Sequence, residues 1–175
     1  MKKISIFTLI LFSCLAYTGK VNAQGFEPVD GFKQVNFGVG TSGWGVALWG
    51  GMDYGIANKV TIGPWVGLRT NSNYTAITVA FRGDYHYGGH IDGLPKELDL
   101  YGGLGMGYTN LAFDNTRFDG NGNLVRFSDN AGYFDVWLSA GGRWYFSPDW
   151  GVMLEFTGAS RGNLAGALVG LSYKF

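Results

Sequence analysis

Leu171-Ser172-Tyr173-Lys174-Phe175 closes the chain with apolar and polar residues in alternation, stopping on an aromatic. Side chains of a strand point alternately to its two faces, so this pattern reads as a strand with one apolar face. Followed back to Leu164, it sets Ala165, Ala167, Val169, Leu171, Tyr173 and Phe175 against Gly166, Gly170, Ser172 and Lys174. The same rhythm recurs upstream. Phe134, Val136, Leu138, Ala140, Trp144 and Phe146 oppose Asp135, Trp137, Ser139, Gly141, Arg143 and Tyr145. Ile77, Val79, Phe81 and Tyr85 oppose Ala76, Thr78, Arg82, Asp84 and His86.

Eight such runs are expected: 33–40, 44–54, 59–69, 74–87, 98–109, 132–146, 150–158 and 164–175. Most approach the 9–11 residues of a tilted membrane strand. Turn-forming residues separate them at 55–58, 70–73, 147–149 and 160–163. Two connections are longer, 88–97 and the polar 110–131. Aromatic residues make up 17% of the chain and glycine supplies 30 of its 175 residues, which favours strands over helices.

The charges separate a membrane barrel from a soluble one. A soluble barrel buries its large apolar face and needs an outer face rich in Lys, Glu and Asp. Here the second face is mostly Gly, Ala, Ser and Thr with a few isolated charges, which suits a narrow lumen. Aromatics cluster near strand ends at Trp44, Tyr54, Tyr85, Tyr87, Tyr108, Trp144, Phe146, Trp150, Tyr173 and Phe175. Such clusters match the girdles of membrane barrels. The expected fold is all-β, an eight-stranded antiparallel up-and-down transmembrane barrel over 33–175.

The N-terminus bears on the compartment. Lys2 and Lys3 precede a mostly apolar stretch from Ile4 to Ala16, and Val21-Asn22-Ala23 offers small residues for cleavage. Residues 1–23 therefore read as a cleaved signal peptide. The apolar stretch is too short for a membrane helix, which needs about 20 residues. Leu11-Phe12-Ser13-Cys14 is a poor lipoprotein box, because Phe stands at its second position. Cleavage after Ala23 would remove Cys14, the sole cysteine. It would also remove three lysines and no acid, turning a net charge of zero into −3. Nothing in that balance points to nucleic acid. Residues 24–32 would form a short periplasmic segment ahead of the barrel.

The stretch Leu94-Pro95-Lys96-Glu97-Leu98-Asp99-Leu100-Tyr101-Gly102-Gly103-Leu104-Gly105-Met106-Gly107-Tyr108 carries a family likeness. So do Gly142-Arg143-Trp144-Tyr145-Phe146-Ser147-Pro148-Asp149-Trp150-Gly151 and the terminal Tyr173-Lys174-Phe175. The chain resembles the small eight-stranded outer-membrane β-barrels, similar to the OmpA transmembrane domain and OmpX. The resemblance implies a bacterial outer-membrane protein surrounded by lipid and lipopolysaccharide, expected to be a monomer. It also implies that the aromatic last strand, through Tyr173 and Phe175, is the signal read by the barrel-assembly machinery. Both termini and connections 55–58, 88–97 and 147–149 would then be periplasmic. Segments 41–43, 70–73, 110–131 and 160–163 would face outward, with 110–131 the place for an extracellular ligand.

The lumen holds the sharpest internal group. Arg82, Asp84, Asp135, Arg143 and Glu155 are expected to point inward, with Asp53, Arg69, Asp99 and Lys174 nearer strand ends. Isolated buried charges are costly, so these should pair. Arg143 and Glu155, flanking one short turn, are the expected cross-strand pair, and the lumen is expected to be plugged rather than open. A narrow channel for ions or small solutes is the alternative. A lipid-modifying enzyme is a weaker one, because His86 and His90 lie at the opposite end from Ser72 and Ser160, and His86 reads as a polar rim residue. No catalytic residue or cofactor is expected. Asp119-Gly120-Asn121-Gly122-Asn123 begins like a calcium loop, but Leu124 stands where glycine is required, so it reads as a tight turn and no metal site is expected. Pro64 interrupts the third run, where a bulge or locally broken pairing is expected.

Overall fold

The computed structural model describes residues 26–42, 45–70, 74–118, 124–160 and 164–175. The signal-peptide reading of 1–23, Cys14, Trp44 and the calcium-like turn 119–123 lie outside these residues.

Eight antiparallel strands close into a barrel in chain order. They are β1 (Lys33–Ser42), β2 (Gly45–Ala57), β3 (Val60–Thr70) and β4 (Tyr74–His86), then β5 (Leu98–Phe118), β6 (Leu124–Tyr145), β7 (Trp150–Ala159) and β8 (Gly166–Lys174). One 3-10 turn at Gly88–His90 sits in the connection between β4 and β5. The barrel shuts where β8 meets β1, with Val35 opposite Tyr173, Phe37 opposite Leu171 and Val39 opposite Val169. Closure leaves no free edge in the barrel wall, the condition for sheet to cross hydrocarbon.

Alternation sorts the side chains as the sequence implies. The outward row holds exposed large apolar residues on every strand, among them Phe37, Leu48, Val66, Val79, Leu104, Leu138, Leu154 and Val169. The exposed aromatics Tyr54, Tyr85, Tyr87, Trp144, Phe146 and Phe175 ring the end that holds both termini. A soluble domain would bury such a continuous apolar exterior, which here has the form of a lipid-facing belt with an interfacial girdle. Among the described residues, no helix is long and apolar enough to cross a membrane.

Two features depart from the sequence reading. First, the expected loop 110–131 is mostly strand. β5 and β6 stay paired from Leu98 opposite Trp144 out to Phe118 opposite Leu124. β4 meets β5 only as far as Tyr74 opposite Phe113, and β7 meets β6 only up to Ala159 opposite Trp137. The outer part is therefore a two-stranded ribbon beyond the wall, hidden in the sequence because its polar composition gives no apolar alternation. Second, the irregularity of register lies at Gly55 and Ala57, not at Pro64. Pro64 stays in register with Phe81 on β4. On the β2 side, the pairing lapses between Gly51–Trp65 and Tyr54–Ile62 and then resumes unshifted. Of the two expectations, broken pairing is the one seen, since proline has no N–H for the ladder.

The segment before β1 laces the mouth of the barrel. Phe26 N–H donates to the Leu98 carbonyl, Gly31 N–H to Gly55, Gly55 N–H to Phe32 and Lys59 N–H to Pro28. Phe26 packs on Tyr145 with ring centroids 5.0 Å apart.

Candidate functional site

The interior of the barrel is filled in two halves. The half where β1 begins and β8 ends is polar and threaded by hydrogen bonds and ion pairs. Arg82 on β4 reaches across the lumen to Glu155 on β7, with N–O distances of 3.2 and 3.0 Å. It also holds its own neighbour Asp84 at 2.7 Å. Tyr101 on β5 donates to Glu155 at 2.8 Å. Arg143 on β6 grips Asp99 on β5 at 3.0 Å and Asp53 on β2 at 2.7 Å. Its guanidinium lies 4.0 Å from the centroid of the Tyr101 ring, which links the two guanidinium clusters through one aromatic face.

Neutral groups complete the coordination. Gln34 and Asn36 donate to Asp53 at 3.1 and 2.9 Å, Ser172 donates to Asn36 at 2.7 Å, and the Tyr145 hydroxyl donates to Gln34. His86 lies between Asp99, at 2.7 Å from Nδ1, and the Thr61 hydroxyl, at 3.0 Å from Nε2. Asp99, His86, Arg143 and Glu155 are wholly buried. Buried ions persist only when each finds a partner of opposite charge and further hydrogen bonds, and the network supplies both. Lys174 sits over the end of the lumen, its ammonium 3.7 Å from the Tyr145 ring and 4.8 Å from Phe26.

The half toward the long ribbon is apolar. Trp49, Trp65 and Trp137 point inward and are at most 5% exposed, packing with Ala47, Leu164 and Leu168. The Trp65 and Trp137 rings stand 5.4 Å apart. Glycines opposite them give the indoles room: a Cβ on Gly105 would lie 2.2 Å from Trp137. Beyond this layer, Arg69 rests over Trp65 and Asp135 accepts from the Ser160 hydroxyl.

The residues singled out from the sequence thus have distinct places. Arg82, Asp84, Glu155 and Arg143 lie together in the polar half. Asp135 faces inward but sits at the other end, away from them. The expected Arg143–Glu155 pair does not form. Arg143 stands opposite Met153 in the register and Glu155 opposite Gly141, and in so narrow a lumen both reach across to other strands. His86 is an interior residue, not a rim residue, because its side chain shares the inward row with Arg82 and Asp84. Trp49 and Trp65 were missed. Their signal is the inward parity of β2 and β3, shared with Asp53 and Arg69.

No protein-family model matches the chain, and no curated protein matches it in sequence. Solved structures do match its shape. The N-terminal β-barrel domain of Pseudomonas aeruginosa OprF superposes with a TM-score of 0.60 at 13% identity, covering 85% of this chain and all of that one. The chain has the fold of the small outer-membrane β-barrels. Neisserial surface protein A gives a TM-score of 0.54 at 13% identity over 82% of this chain and 95% of the other. Ail of Yersinia pestis, in complex with the heparin analogue sucrose octasulfate, gives 0.52 at 12% identity over 84% and 100%. A designed transmembrane β-barrel matches as well, at 0.55 and 18% identity over 86% and 100%. At these identities the small-barrel likeness extends to architecture alone.

Proposed function

We propose that this barrel is an integral protein of the bacterial outer membrane with a sealed lumen and a non-enzymatic structural, envelope-integrity or surface-interaction role. The observation that carries the reading is the pairing of a lipid-type exterior with an interior that, among the described residues, is packed with ion pairs and tryptophans. Barrels of eight strands are just wide enough to be filled by side chains, and the buried inward residues support that filling. The fold likeness to outer-membrane barrels supports the compartment. The N-terminal pattern of residues 1–23 supports export, and Tyr173 and Phe175 support recognition by the assembly machinery. The ribbon formed by β5 and β6 is the surface for an extracellular ligand.

The order Thr61, His86, Asp99 matches hydroxyl, imidazole and carboxylate, the sequence of groups in a nucleophilic triad. All three are buried and hydrogen-bonded to one another inside the barrel. This supports a structural use of the constellation. Reconstitution in a planar bilayer tests the proposal. The expected result is no stepwise conductance from protein whose unboiled and boiled samples migrate differently on a gel. Steady ion currents that disappear in Glu155→Ala would replace the plug by a narrow channel.

A further inference from the structure

The outer wall is not uniformly convex. Between β4, β5 and β6 a groove of about 600 Å³ runs over Gly83 and Gly102, walled by Val60, Tyr85, Leu104 and Leu138. Its mouth-side wall is fixed in an unusual way. The Tyr85 hydroxyl lies 2.6 Å from His90 Nε2, and the two rings stack at 17°. The Lys59 ammonium lies 3.4 Å from the same nitrogen and 3.0 Å from Glu27. Lys59 is the one non-glycine residue with positive φ among the described residues, at 67°. Its backbone is tied on both sides, donating to Pro28 and accepting from His86. A strained conformation held by its surroundings is a mark of a placed side chain.

We propose that this groove and its cationic rim hold one glycerophospholipid of the leaflet at the termini end, an acyl chain in the groove and the phosphate at Lys59 and His90. The inference rests on the membrane-barrel reading. The charge and polarity order matches that ligand: an apolar slot within the lipid-facing belt ends beside an ammonium and an imidazole at the girdle. His90 Nε2 faces the donors Tyr85 and Lys59, so it accepts and the ring proton is on Nδ1. The Nδ1–H and the one ammonium hydrogen left by His90 and Glu27 are donors suited to a phosphate, and charge-assisted bonds of this kind are the stronger class. Glu27 orients Lys59 and competes with the phosphate, which makes the site selective for a lipid that also fills the groove.

Native mass spectrometry of the folded barrel in detergent tests this with three probes: dioleoylphosphatidylglycerol, dioleoylglycerol with the same chains, and inorganic phosphate. One phosphatidylglycerol should be retained per barrel, with dioleoylglycerol held about tenfold more weakly, equivalent to about 1.4 kcal/mol. Inorganic phosphate should not bind. Gly102→Leu fills the groove, and a Cβ at Gly102 meets nothing closer than 3.7 Å, so the wall accepts it. This variant and the double change Lys59→Ala, His90→Ala should each lower retention by about tenfold on the same scale. Equal retention of the two diacyl probes, unchanged retention in Gly102→Leu, or phosphate binding without chains would overturn the proposal. Boiled and unboiled migration of each sample reports the barrel separately. Loss of that shift in the wild type would instead strike the membrane-barrel reading.

Discussion

At the residue scale the lumen is decided by a handful of charges. Arg143 bridges Asp53 and Asp99. Replacing it by Leu leaves two buried carboxylates facing each other's field, and removal of one partner of a buried pair costs about 3–5 kcal/mol. Urea unfolding of the reconstituted barrel, followed by Trp fluorescence, should show a loss of that size. Arg82→Met combined with Glu155→Gln should cost less than Arg82→Met alone, because the double change strands one buried carboxylate, Asp84, instead of two. Glycine positions give a sharper contrast. A Cβ at Gly63 would lie 1.6 Å from the Met52 carbonyl oxygen, whereas a Cβ at Gly158 meets nothing within 4 Å. Gly63→Ala should destabilise by about 1–3 kcal/mol or more through overpacking, and Gly158→Ala should leave the unfolding midpoint unchanged. Equal midpoints for the two variants would contradict the close approach of β2 and β3.

Single residues were also where sequence reasoning reached its limit. That Arg82, Asp84, Arg143 and Glu155 face inward follows from parity alone, since every second residue of a strand shares a face. Which of them meet does not follow, because contacts across a closed lumen depend on strand stagger and on side chains from strands far apart in sequence. Asp53 and Arg143 are paired over a separation of 90 residues, and no local pattern records that. His86 was misplaced for a related reason. Its partners Thr61 and Asp99 come from the two flanking strands, 25 and 13 residues away, which no local pattern records.

At the element scale, the strands were legible because two-sided burial imposes a strict period of two. The ribbon beyond the wall was not, because its polar sequence carries no alternating apolar signal. Beyond Phe113 and Trp137, β5 and β6 pair only with each other among the described strands. Shortening the hairpin to remove 114–128 should therefore leave the barrel's heat-modifiable migration and unfolding midpoint intact. A collapse of either would mean that the ribbon supports the wall. The last strand bears a different load. Tyr173 packs between Trp150, at 4.8 Å, and Phe175, at 6.4 Å, within the girdle at the termini end. Phe175 is largely exposed, so its deletion should slow insertion by the assembly machinery far more than it lowers the stability of the folded barrel. Insertion at the wild-type rate would remove it as a signal.

At the scale of the whole molecule, two kinds of filling share one tube. The polar half holds its shape through directional bonds, which resist rearrangement only while every partner is present. The tryptophan half holds by packing, and Trp65→Ala should cost about 3–5 kcal/mol as a cavity at the centre of the tube. The same substitution is the better route to leakage, since it removes the bulkiest obstacle without breaking an ion pair. Bilayer currents absent in the wild type and present in Trp65→Ala would place the tightest constriction in the apolar half.

The lacing of residues 26–32 into the mouth has a consequence in time. Its backbone partners are Leu98, Gly55 and Lys59, contributed by β5, β2 and the turn before β3. Phe26 also rests on Tyr145 near the end of β6. The first described stretch of the chain to leave a ribosome is thus among the last able to find its seat, because its seat is assembled from segments made long after it.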